Sequence, residues 1–225
     1  MIQTKQLVKT FKSGEVLTPV LKGIDFRASA GEWVAIMGRS GAGKSTFLYQ
    51  MSLLDDPTSG EITIDGHNTR TMSAKEKMLF RLSKFGFVFQ DYALLPELTA
   101  LENVALPLLM QGLPKREAYV RAIAALERAQ LEHRINSLPS QLSGGEQQRV
   151  SIVRAVAHNP RILFADEPTA NLDNESSKRI MEIFSELHKK TGQTIIMVTH
   201  EEQYAKLAER IIHFDDGKIV SEQKN

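Results

Sequence analysis

Three continuous apolar runs stand out along the chain: Trp33-Val34-Ala35-Ile36-Met37, Ile162-Leu163-Phe164-Ala165 and Thr194-Ile195-Ile196-Met197-Val198. Runs of this length without polar alternation predict strands buried on both faces. Their separation by helical stretches predicts a parallel sheet covered on both sides. The segment Gly60-Glu61-Ile62-Thr63-Ile64-Asp65-Gly66 alternates apolar and polar between two glycines, which predicts a hairpin strand. The first thirty residues carry short β-type runs punctuated by Gly14 and Gly23, so a small antiparallel layer is expected around the strand at Trp33. From roughly 91 to 137 such runs thin out. Between Lys115 and Leu131, the residues Ala122, Ile123, Leu126 and Ala129 recur at three- and four-residue spacing. That periodicity predicts a helix packed by one apolar face on its own domain. No internal repeat, low-complexity tract or linker is visible. Residues 1–225 therefore read as one α/β unit with a mainly parallel sheet, a small antiparallel β layer and an inserted helical subdomain at about 91–160.

Composition removes several alternatives. A chain of 225 residues can bury a substantial core without staples. It has no cysteine, which excludes a disulfide framework and thiolate metal sites. Its 28 basic and 27 acidic side chains leave a net charge of +1, so no electrostatic case exists for nucleic acid as the main partner or for a polybasic membrane anchor. The most membrane-like stretch, Val104-Ala105-Leu106-Pro107-Leu108-Leu109-Met110, is far shorter than a span and contains proline. Met1-Ile2-Gln3-Thr4-Lys5-Gln6 lacks the apolar core of a secretion signal. The expectation is a soluble, cytoplasmic chain that reaches a membrane only through a partner.

The chemistry begins directly after the first apolar run. Gly38-Arg39-Ser40-Gly41-Ala42-Gly43-Lys44-Ser45 fits the phosphate-cradling pattern G-x-x-x-x-G-K-[ST], followed by Thr46-Phe47-Leu48 as the start of a helix. Glycines let successive N–H groups turn inward on phosphate oxygens. Lys44 adds a point charge for the β- and γ-phosphates, and Ser45 offers a hydroxyl to Mg²⁺. The second run ends in Asp166-Glu167. A parallel strand presents side chains at its carboxyl end, where ligands bind in open α/β sheets. Asp166 is placed to hold Mg²⁺, and Glu167, one residue later, to accept a proton from attacking water. Between these segments lies Leu142-Ser143-Gly144-Gly145-Glu146-Gln147-Gln148-Arg149, a turn opening a helix that can offer a hydroxyl and N–H groups to an anion.

In this order and spacing the segments resemble the ATP-binding cassette (ABC) ATPases over nearly the whole chain. The resemblance implies a P-loop ATPase that takes ATP and Mg²⁺. It makes Leu142 to Glu146 the signature motif, so that Ser143, Gly144, Gly145 and Glu146 face the nucleotide of a second, head-to-tail copy. It matches Phe11 to the aromatic that stacks on adenine, a core role being the other reading. It matches Gln90 to the glutamine that touches Mg²⁺ and attacking water, His200 to the γ-phosphate switch histidine, and Ala170-Asn171-Leu172-Asp173 to the loop that crosses the dimer interface. Asp173 can also be read as a helix N-cap.

Gly31 to Gly38, Leu53-Leu54-Asp55, Thr99 to Val104 and Ala165 to Asp173 look like the lipoprotein-release and macrolide-export group. That group implies an integral membrane permease as partner and a place on the inner face of the cell membrane. Two positions depart from its pattern: many relatives have glycine where Ala170 stands and glutamine where Glu146 stands. A cell-division mechanotransmission ATPase shares every motif. A soluble ABC protein acting on ribosomes or DNA is a further alternative, although such proteins usually carry two cassettes, a long coiled coil or zinc-binding cysteines.

Overall fold

The computed structural model describes residues 2–225. In chain order the strands and helices are β1 (Ile2–Ser13), β2 (Val16–Ala28), β3 (Trp33–Gly38), α1 (Lys44–Met51), β4 (Ser59–Ile64), β5 (His67–Asn68) and α2 (Ala74–Lys84). There follow β6 (Phe85–Val88), α3 (Ala100–Met110), α4 (Lys115–Arg128), α5 (Gly144–Val156), β7 (Ile162–Asp166), α6 (Asn174–Thr191), β8 (Thr194–Val198), α7 (Glu202–Ala205), β9 (Arg210–Asp215) and β10 (Lys218–Lys224). They fall into two compact units, one formed by residues up to Arg81 together with Leu187–Asn225, the other by Leu82–Glu186.

The first unit holds two sheets. One is antiparallel, in the order β2-β1-β4-β5. In the other, β3 lies between parallel neighbours β8 and β9, with β10 antiparallel on β9. Burial of Val34, Ala35 and Ile36 and of Ile195 to Val198 is complete, as their unbroken apolar runs require. Phe47 of α1 closes this core, stacked on Phe214 at 5.3 Å and edge-on to Phe26 at 5.4 Å. The hairpin strand read at 60–66 is β4, turning back into β5. The early strands correct one expectation. Gly23 does not end a strand; it sits inside β2, where the register steps from Leu7↔Ile24 to Val8↔Lys22. With φ at +80°, the glycine takes up the extra residue of a bulge, so that β1 and β2 run on as one long pair.

In the second unit β6 and β7 pair in parallel, Phe85 opposite Ile162 and Val88 opposite Ala165. Helices α3, α4 and α5 close on a core of Leu101, Val104, Leu108, Ala122, Leu126 and Val150. The periodic residues of the predicted helix behave as their spacing requires: Ala122 and Leu126 are fully buried, and Ile123 and Ala129 pack at the margin. The helix stops at Arg128, before Leu131. Helix α3 is begun by a capping box between Thr99 and Glu102. Fully buried Asn103 accepts from the Leu95 N–H and donates to the carbonyls of Leu95, Leu98 and Thr99. Thr99 to Val104 is thus a helix start that also ties down its own entry loop. Among the described residues no helix is long and apolar enough to cross a membrane.

Candidate nucleotide-binding site

In the first unit the phosphate loop begins where β3 ends. Gly38 pairs with Phe214 of β9, and a Cβ at Gly38 would lie 2.2 Å from the Phe214 carbonyl oxygen. No side chain fits there. Gly41 differs: its φ is +79°, yet nothing lies within 4 Å of where a Cβ would sit. The loop is therefore packed at its root and open at its crest, where Arg39, Ser40 and Gly41 are exposed. Behind the crest, buried Ala42 accepts a hydrogen bond from the Gly217 N–H at 3.0 Å, and Gly43 stands in the left-handed region at the N-cap of α1. Lys44 is 8 % exposed, and its ammonium donates to the carbonyls of Gly38 at 2.9 Å and Arg39 at 3.0 Å. The charge is thus held inside the curl of the loop. Ser45 and Thr46 follow in the first turn of α1, half-buried.

His200 lies two residues past β8, which pairs in parallel with β3 through Ile36↔Val198. His200 and Gly38 therefore leave the carboxyl ends of neighbouring parallel strands, the edge where open α/β sheets bind ligands. The Phe11 ring is 44 % exposed, with the Lys9 ammonium 5.0 Å from its centroid. This rules out the core role and leaves an aromatic face at the surface.

The second unit repeats the strand-end arrangement. Asp166 ends β7 and is buried at 3 % exposure, while Glu167 follows, half-buried, with φ at +47°. A non-glycine residue held in the left-handed region costs about 1–3 kcal/mol and gathers at functional sites. Gln90 lies two residues past β6, in parallel register with β7 through Val88↔Ala165, so Gln90 and Glu167 emerge at the same end of this pair. The Asn171 amide donates to the Gln90 carbonyl at 3.0 Å, and the fully buried Gln148 amide donates to the Pro168 carbonyl at 2.7 Å. Asp173 adopts its N-cap role: it accepts from the Ser176 N–H at 2.9 Å and hydroxyl at 2.7 Å, and these bonds hold its carboxyl below the ordinary range.

Ser143 caps α5. Its hydroxyl accepts from the Glu146 N–H at 3.3 Å, and Glu146 accepts in return from the Ser143 N–H at 2.8 Å. A Cβ on Gly145 would come 2.8 Å from the Ser176 hydroxyl, so this turn fits closely over the start of α6. Glu146 is turned inward, 9 % exposed, and accepts from the Arg134 guanidinium at 2.8 Å. The expectation that Glu146 faces a nucleotide is therefore shifted: its carboxylate is used within the chain, leaving the exposed Ser143 and the Gly144-Gly145 N–H groups as the motif's outward face. Burial raises the Glu146 pKa, but the Ser143 N–H, the Arg134 guanidinium and the Ser143 hydroxyl outweigh it and hold the carboxyl at about 2, against an ordinary 4.5. A depressed carboxylate pKa stabilises the fold above the unfolded value and loses that contribution as pH falls from about 4.5 towards 2. Glu146→Gln keeps the capping geometry without the charge. It is expected to remove about 2–3 kcal/mol at neutral pH and to flatten the acid limb of the stability curve, as urea titrations from pH 7 down to 3 would measure. An unchanged acid limb would contradict the pairing.

Among the described residues no group of three or more histidine, acidic or cysteine side chains is assembled to hold a metal. The donors expected from the sequence, the Ser45 hydroxyl, the Asp166 carboxylate and the Gln90 amide, are all hard oxygens. So sparse a set fits Mg²⁺, which keeps waters and is carried largely by substrate phosphates. Sequence reasoning missed Arg134, Gln148 and Arg154. Each acts on a backbone or side-chain group 12 to 62 positions away. Of the three, only Gln148 and Arg154 had any linear signal, as long polar side chains within the helix that the signature turn opens.

A parallel-strand α/β fold with a phosphate loop at one strand end and an acidic pair at another defines a P-loop nucleoside triphosphatase. Comparison with known proteins narrows this. The family model described as "ABC transporter" matches residues 21–170. The lipoprotein-releasing system ATP-binding protein LolD of Aquifex aeolicus is 49% identical over 203 residues, 90% of either chain. The macrolide export ATP-binding/permease protein MacB of Brucella melitensis is 45% identical over 222 residues, 99% of this chain and 34% of that longer one. The dimeric post-hydrolysis structure of the ATP-binding cassette MJ0796, bound to ADP and Pi, superposes with a TM-score of 0.94 at 43% identity, covering 100% of this chain and 98% of that one; that cassette comes from Methanocaldococcus jannaschii. The chain belongs to the ABC transporter family, as an ATP-binding subunit that hydrolyses ATP.

Proposed function

We propose that the chain is the motor subunit of an export or release system. Two copies close around two ATP molecules and drive a separate integral membrane permease, for lipoprotein, peptide or drug-like substrates. The chain would act from the cytoplasmic face, as one cassette whose helical stretch at about 91–160 is an inserted subdomain. The observation that carries this reading is the capped, outward-facing Ser143 turn. Ser143 is exposed there, and the half-buried Gly144 and Gly145 open the helix behind it, a turn that can offer a hydroxyl and N–H groups to an anion. Similarity to LolD and MacB along nearly the whole chain supports the subclass.

In this reading Phe11 stacks on adenine. The loop from Gly38 to Thr46 cradles the phosphates, with Lys44 moving from the loop carbonyls to the β- and γ-oxygens. Ser45, Asp166 and Gln90 would hold Mg²⁺, which when bound would neutralise charge on the phosphates. Water attacks the γ-phosphorus and gives its proton to Glu167. The bond to the β-phosphate oxygen breaks, and ADP and inorganic phosphate result. Gln90 and His200 orient the water and the γ-phosphate, and Ser143, Gly144 and Gly145 of the second copy close the site. Loss of the γ-phosphate removes contacts that only the closed pair makes, so the pair opens.

The test uses a Glu167→Gln protein with ATP in analytical ultracentrifugation, alongside ATPase assays of the parent with and without permeases of the lipoprotein-release type in nanodiscs. ATP-dependent dimers and permease-stimulated turnover are expected. A chain that stays monomeric under saturating ATP would refute the paired site, and one that no permease binds or stimulates would refute the transport role.

A further inference from the structure

Two successive non-glycine residues stand in the left-handed region directly after the Gln90 turn: Tyr92 at φ +64° and Ala93 at +48°. One such residue is uncommon; two in a row need something to hold them. The holder is Arg154, near the end of α5. Its Nη1 donates to the Ala93 carbonyl at 2.6 Å and its Nη2 to the Tyr92 carbonyl at 2.9 Å. Consecutive residues of one helical hand point their carbonyls the same way, and a planar guanidinium presents two parallel donors to match. An ammonium has no such fork. Burial lowers the Arg154 pKa only to about 10, so the group stays charged at neutral pH.

Two further contacts fix the same segment. The Asn171 amide holds the Gln90 carbonyl at 3.0 Å. The Tyr92 hydroxyl lies against the signature turn, where a Cβ on Gly144 would stand 3.0 Å from it. The strained segment is thus gripped from α5 near both ends, at Gly144 and at Arg154.

We infer that Arg154 is a positioning residue that clamps the exit of the Gln90 turn onto the helix carrying Ser143. Gln90 and the Ser143 turn, which serve different nucleotides of the pair, are thereby held at one fixed spacing. This rests on the paired-site reading above and adds the residue that sets that spacing.

The prediction separates binding from closure, since the phosphate loop belongs to the other unit. Arg154→Met in the active chain should lower kcat by about 10–10²-fold, the scale of a misplaced catalytic group, with the KM for ATP within about threefold. In a Glu167→Gln background it should raise the ATP-dependent dimerisation midpoint at least about tenfold by sedimentation. If Arg154→Met does not fold, Arg154→Lys, which keeps the charge and loses the fork, should lower kcat at least about threefold with KM unchanged. A folded Arg154→Met (or, failing that, Arg154→Lys) with parental kcat and dimerisation would overturn the clamp alone. A Glu167→Gln parent that never dimerises would overturn the paired site, and the clamp with it.

Discussion

Glu167→Gln is expected to slow ATP turnover by about 10²–10⁴-fold, the usual scale for a lost general base, while ATP affinity stays near the parental value. The substitution keeps the size and shape of the side chain and removes its negative charge and its capacity to take a proton. Its position argues for this role over a structural one. Glu167 follows a fully buried strand, is half-buried, and is held at φ +47°, a conformation that costs energy and that Pro168, pinned by the Gln148 amide, helps to maintain. In the proposed reading this backbone conformation aims the carboxylate at the attacking water. Phosphate release in steady state, beside an equilibrium titration with ATP, reads both halves of the prediction. Turnover equal to that of the parent would remove Glu167 from the reaction.

Lys44→Ala should act one step earlier. Binding of ATP is expected to weaken by roughly 10–10²-fold, corresponding to about 1.5–3 kcal/mol for a hydrogen bond to a charged group, and turnover falls with it. Lys44 is only 8 % exposed, and its ammonium donates to two loop carbonyls. It needs a short movement rather than desolvation to reach a phosphate. Calorimetric titration distinguishes this from Glu167→Gln, because the two variants fail on opposite sides of the binding step. A Lys44→Ala protein with full affinity would overturn the phosphate-loop assignment.

The elements best read in advance are those whose signal is local. Strand β8 spans the predicted Thr194 to Val198, because a doubly buried strand must be apolar at every position. The phosphate loop is a contiguous motif whose glycines answer to the backbone itself. The helix from Lys115 was legible from its three-four spacing, and its end was misjudged because Ala129 still packs on the core after the helical turns stop at Arg128. Gly23 misled because glycine marks strand ends and bulges alike; only pairing of β2 with β1 decides which. Glu146 misled for a related reason. Its place in the signature motif pointed outward, whereas a guanidinium from Arg134, twelve residues upstream, draws it in.

By itself, then, the amino-acid sequence determined the chemistry this protein can perform: a backbone curl for phosphates, a lysine charge, a hydroxyl and two carboxylates at strand ends. These depend on residue type and on neighbours within a few positions, which a chain carries before it folds. Only the tertiary structure decided which groups are committed inside the chain and which face outward. It turned Glu146 to Arg134, bared the Phe11 ring, made Asp173 a cap and set Arg154 against the carbonyls of Tyr92 and Ala93. Those outcomes rest on hydrogen bonds and packing between residues as far as 62 positions apart, and no linear pattern encodes contacts that come into being only when the strands and helices meet.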